Sequence, residues 1–111
     1  MRLPALLAVL ATSILAAAAV PAFAQEEYLI VIKEHRMNPA DLQVPAGQKI
    51  KLIVDNQDAT PEEFESHILN REKIIPGNSK GTMFIGPLKA GTYEYFGDFH
   101  QATAQGTITA K

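Results

Sequence analysis

The stretch Lys89-Ala90-Gly91-Thr92-Tyr93-Glu94-Tyr95-Phe96-Gly97-Asp98-Phe99-His100 decides how the rest of the chain is read. Lys89-Ala90-Gly91 is turn chemistry, and Tyr93 and Tyr95 alternate with Glu94, which predicts a strand with one packed face. Gly97 ends the alternation. An aromatic and an imidazole, Phe99 and His100, follow the break at once.

The same grammar extends in both directions. Tyr28-Leu29-Ile30-Val31-Ile32 is apolar and β-branched, and Leu42 and Val44 make a short strand closed by Pro45-Ala46-Gly47. Ile50, Leu52 and Val54 repeat with period two, and Phe64 to Leu69, Thr82 to Ile85 and Gly106 to Ala110 read as further strands. Met37-Asn38-Pro39, the loop 56–61, Pro76-Gly77-Asn78-Ser79 and Gly86-Pro87 are breaks. Residues Ser66 to Ile75 are expected to hold one short turn of helix. The sum is about seven strands with turn signals at short, even spacing, an all-β sandwich or barrel.

The first 24 residues differ from this pattern. Arg2 is their one charge, and an apolar run from Leu3 to Val20 leads to Pro21-Ala22-Phe23-Ala24 and then the polar Gln25-Glu26-Glu27. A basic start, an apolar middle and an A-x-A exit predict a cleaved secretory signal peptide over 1–24 and a domain over 25–111. A membrane anchor is the alternative, because the apolar stretch approaches spanning length. The Ala22-x-Ala24 site favours cleavage, so no stable anchor is expected. The chain has no Cys, which excludes disulfides, iron–sulfur clusters and thiol nucleophiles. Its formal charge of −2 offers no basic field for nucleic acid. No nucleophile elbow or phosphate-binding Gly-rich loop is present.

Three segments together resemble cupredoxins. Residues Met37 to Gly47 are similar to their early x-x-P-x-x-hydrophobic-x-V-x-x-G stretch. Asn56 to Phe64 is similar to the N-x-D-x-x-P-H-x-F loop, and Lys89 to His100 to the G-x-Y-x-Y-x-C-x-x-H segment. The resemblance implies a cupredoxin-like Greek-key β-sandwich. It also places the copper ligands: the first His falls on Glu62, the Cys on Gly97, the second His on His100 and the axial Met near Ala104 or Gln105. A blue-copper site needs two His, a Cys thiolate and a weak axial ligand. Without the thiolate, no blue colour is expected. The runs Glu63 to Lys73 and Phe99 to Gly106 resemble the EfeO-type cupredoxin-like domain, and within it the small periplasmic cupredoxins of Ftr-type bacterial iron uptake. That likeness implies a periplasmic location, and as partners a periplasmic iron-binding protein and an inner-membrane iron permease.

Glu62, Glu63 and Glu65 crowd one loop-to-strand junction. Glu63, Glu65 and His67 share parity, so a regular strand carries them on one face, with Phe64 facing the core. With His100 they compose an oxygen and nitrogen ligand set for copper or iron. His35, Met37 and Asp98 are weaker candidates. Met37 also reads as core filler, His35 as exposed, and Arg71 or Lys73 as partners that pair with Glu63 or Glu65 across a hairpin. The expected function is metal binding through His and Glu ligands that assists iron oxidation or transfer, with any ferroxidase or electron-transfer role accessory. The alternative is a degenerate cupredoxin that binds protein and no metal.

Overall fold

The computed structural model describes residues 26–111, with Pro4 and Ala11 besides. The leader expected over 1–24 otherwise lies outside the described residues. Among the described residues, no helix is long and apolar enough to cross a membrane.

Among the described residues nine strands form: β1 Glu27–Lys33, β2 Arg36–Asn38, β3 Asp41–Val44, β4 Ile50–Asn56, β5 Glu62–Ser66, β6 Arg71–Ile75, β7 Ser79–Ile85, β8 Gly91–Gly97 and β9 Gln105–Ala110. A single 3-10 turn, Asp98–His100, follows β8. The strands make two sheets, ordered β2-β1-β4-β7 and β3-β9-β8-β5-β6. β1 runs parallel to β4 and β3 parallel to β9; the other pairs are antiparallel.

Two strands exceed the sequence reading. Met37-Asn38 is no break but part of β2, which pairs with β1 through Ile32 and Met37. The helical turn expected within 66–75 is instead a tight turn followed by β6, which lies antiparallel to β5. β5 itself begins at Glu62 and ends at Ser66, so His67, Ile68 and Leu69 lie in the turn beyond it.

Period-two burial is clearest on β4, where Ile50, Leu52, Val54 and Asn56 are buried and the residues between them are half-buried. These side chains, with Ile30 and Ile32 of β1 and Met83 and Ile85 of β7, meet Phe64, Tyr95, Ile108 and Leu42 of the other sheet in one core. Burial of that apolar area drives the two sheets together. Phe64 and Tyr95 stack with ring centroids 5.2 Å apart. The Tyr95 hydroxyl donates to the Pro39 carbonyl at 3.0 Å, and burial raises its pKa above the ordinary tyrosine value. Gly106 is required beside that ring, because a Cβ there would stand 2.4 Å from the Tyr95 hydroxyl oxygen.

The end of the sandwich that carries the candidate site is built around Asn56. Its buried amide donates to the carbonyls of Thr60, Ile75 and Pro76 at 2.9, 3.1 and 3.2 Å, and its oxygen accepts from the Asp58 N–H at 3.1 Å. One side chain thus holds the 57–61 loop, and with it the start of β5, against the end of β6.

Candidate metal centre

β5 sorts the acidic cluster onto two faces. Glu62 shares parity with Phe64 and Ser66, and all three are buried inside the sandwich. Glu63 and Glu65 point to the other side of the sheet. The five residues expected to converge on one ion therefore form two groups.

The inner group is Glu62, His100 and His35. Glu62 is 1% exposed, and its carboxylate is fully engaged. Oε1 accepts the backbone N–H of Glu63 at 3.0 Å and of Phe99 at 2.9 Å, and Oε2 lies 2.5 Å from Nδ1 of His100. The His100 ring stacks on His35, with centroids 3.5 Å apart and planes within 10°. His35 is half-buried, not exposed as expected. It sits in a left-handed turn, φ 52° at Glu34 and 57° at His35. Asp58 holds that turn by accepting both backbone N–H groups, at 2.7 and 3.0 Å. Burial works to raise the Asp58 pKa, but these two hydrogen bonds and the charges of His35 and His100 outweigh it and hold it below the ordinary value. The stack does not make a two-histidine ligand pair. Imidazole lone pairs lie in the ring plane, so an ion shared by two parallel rings would sit about half their spacing out of each plane, incompatible with metal–nitrogen bonds of about 2.0–2.1 Å.

The outer group is Glu63, Glu65 and Glu72. β5–β6 register sets Glu65 opposite Glu72, and one carboxylate oxygen from each of the three lies within 4.8 Å of the others. His67 adjoins them, its Nδ1 3.6 Å from Glu65 Oε1 and its ring 5.3 Å from that of Phe96. The Glu63 pKa is pushed up to about 7: a hydrogen bond shared with Glu72 comes first, then burial, then the charges of Glu72, Asp98 and Glu65. No cationic side chain relieves this crowd in the manner expected. Arg71 donates to the carbonyls of Phe84, Leu69 and Asn70, and Lys73 to that of Thr82. Three carboxylates suit hard or borderline cations such as iron and Cu(II).

Of the weaker candidates, Met37 is core, 5% exposed and packed among Ile30 and Ile32, which sets it apart from His35. Asp98 belongs with the outer group through its charge on Glu63, and Gln101 donates to its Oδ1 at 2.7 Å. Glu72 and Asp58 were not among the expected site residues. Asp58 acts through backbone geometry that leaves no mark on composition.

Gly97 packs directly against the inner group. A Cβ added there would stand 2.6 Å from Glu62 Cδ and 2.7 Å from Ala104 Cβ. The sequence profile of the cupredoxin-like domain matches residues 4–110.

The chain belongs to the cupredoxin-like domain family.

An uncharacterized protein of Rickettsia prowazekii (strain Madrid E) is 52% identical over 82 residues, which are 74% of this chain; the chain spans 66% of that relative's length. Solved structures share the fold at low identity. Auracyanin A, a "blue" copper protein of Chloroflexus aurantiacus, gives a TM-score of 0.66 at 17% identity over 79% of this chain and 100% of its own. The metal-binding domain of the Cu(I)-exporting ATPase CopA of Streptococcus pneumoniae D39 gives 0.61 at 15%, over 77% and 84%. A purple cupredoxin of Nitrosopumilus maritimus gives 0.57 at 18%, over 75% and 98%. In this cupredoxin-like chain the residues do not fit a blue-copper ion. Thiolate is absent, Glu62 fills the space in front of Gly97, and the inward nitrogen of His100 is bonded to that carboxylate.

Proposed function

We propose that this cupredoxin-like chain is an exported metal-binding module that takes copper(II) or iron on the outer face of β5 and β6. Glu63, Glu65 and Glu72 supply oxygen ligands and His67 stands at their margin. The convergence of three carboxylate oxygens within 4.8 Å carries this reading. Like charges so close favour either a shared proton or a cation between them. The copper bound by auracyanin A and by the CopA domain supports copper as one cargo. The resemblance of residues 63–73 and 99–106 to small cupredoxins of iron uptake supports iron as the other. On that resemblance the module works in the periplasm beside an iron-binding protein and an inner-membrane iron permease, and the leader over 1–24 delivers it there.

Titration of the purified protein with Cu(II), followed by calorimetry and EPR, tests the reading. The expected result is binding with an oxygen-type signal, no intense visible band, and loss of at least tenfold in affinity in Glu63→Gln/Glu65→Gln/Glu72→Gln. Absence of binding at sub-millimolar Cu(II) and iron overturns it. A second reading, a cupredoxin fold that binds protein and no metal, is favoured by the filled position at Gly97 and by exposed Phe99 and Ile68, 46% and 61% exposed. That reading expects no metal binding, with partner capture unchanged by the triple substitution.

A further inference from the structure

The fold's copper position holds donors here, not ligands. Around the Glu62 carboxylate stand the backbone N–H groups of Glu63 and Phe99 and the Nδ1 of His100. Main-chain N–H groups carry positive partial charge, and both are fixed, one at the start of β5 and one in the 98–100 turn. Such a ring of donors attracts an anion and repels a cation. No buried side-chain polar atom among the described residues lacks a partner, so the receptor is saturated by the one carboxylate it encloses.

The geometry points to a carboxylate receptor in place of a metal site, with Glu62 as its built-in occupant. The position is closed to metal ions, and Glu62 is a positioning residue that pins the 98–104 loop to β5. Other bonds complete the anchorage: Gly97 N–H to the Ala104 carbonyl at 2.8 Å, Ala104 N–H to the His100 carbonyl at 2.9 Å, and the Thr103 hydroxyl to the His35 carbonyl at 2.6 Å. This assignment stands apart from the outer carboxylate face and does not need that face to bind metal.

Chemical rescue tests it. Glu62→Ala removes a fragment the size of acetate and leaves the donors behind. The variant is expected to unfold about 10 °C or more below wild type. Acetate or formate at tens of millimolar should recover at least half of that loss in a saturable way. Chloride at equal ionic strength and Zn(II) should not. In the wild-type protein, excess Zn(II) should leave the Nδ1 resonance of His100 unshifted. Rescue by Zn(II), or acetate no better than chloride, overturns the assignment. So does a Zn(II)-induced shift of His100 Nδ1 in the wild type, an arm that decides the question even where Glu62→Ala does not fold. His100 unmoved by Zn(II) supports the assignment whether or not the outer face takes the ion; the outer face itself stands or falls on the copper(II) and iron titrations.

Discussion

At the residue scale, Glu63 connects geometry to pH. Its pKa stands at about 7 in the folded chain against an ordinary 4.5, so the native state holds a proton that the unfolded state has released. Stability is therefore fully present below about pH 4.5 and falls as pH rises to about 7. Asp58 and Asp41 act in the opposite sense. Both are held below 3.8, Asp41 by hydrogen bonds from the Thr109 and Thr107 hydroxyls, so their contribution is lost as pH falls through the acid range. Thermal unfolding measured from pH 4.5 to 7.5 should show a declining midpoint, and Glu63→Gln should flatten that decline. An unchanged slope in the variant would assign the effect elsewhere. Saturating metal should also flatten the slope in the wild type, because a cation replaces the shared proton.

At the element scale, β5 shows what was legible in the sequence and what was not. The strands at 28–32, 50–54 and 92–96 are legible, the first as an apolar β-branched run and the other two by alternation, and each buries one face. Glu63 and Glu65 were placed on a common face by the same logic. The parity that puts Phe64 inside also puts Glu62 inside, but the sequence starts the strand at Phe64 and leaves Glu62 at the loop-to-strand junction, whereas β5 begins at Glu62. Glu72 needed more than parity. Its place opposite Glu65 follows from a hairpin register that exists only because residues 67–70 form a tight turn, where the sequence suggests a short turn of helix within Ser66 to Ile75. In the sequence Asn56 is likewise one polar loop residue among several. Its four hydrogen bonds depend on where β6 ends, a long-range fact. Asn56→Ala should strand those buried groups and cost about 2–4 kcal/mol, or roughly 10–20 °C in midpoint. Chemical denaturation of the variant checks this; a loss below about 0.5 kcal/mol would show that the loop is held by other means.

At the scale of the whole molecule, the sandwich closes one side without a strand pair. β6 and β7 are edge strands of different sheets, and Arg71 and Lys73 reach across to the carbonyls of Phe84 and Thr82 at 3.0 and 2.9 Å. Long cationic side chains thereby cover an edge that would otherwise pair with another chain. Arg71→Ala/Lys73→Ala should lose about 1 kcal/mol and, more tellingly, self-associate as concentration rises. Size-exclusion chromatography with light scattering reads this, and a strictly monomeric double variant would count against edge protection. None of this was visible in composition, where Arg71 and Lys73 looked like partners for the glutamates.

β9 lies between β3 and β8, pairing parallel with residues 41–44 and antiparallel with residues 91–96. The strand that joins β3 to the rest of that sheet is thus the last of the nine described strands in chain order. Until residues 105–110 have left the ribosome, β3 has no strand to pair with and Ile108 has not reached the core, so the growing chain has no route to an early, partly finished sandwich. A chain ending at residue 104 should remain unfolded by near-ultraviolet circular dichroism, and folding becomes a single event that waits for residues 105–110.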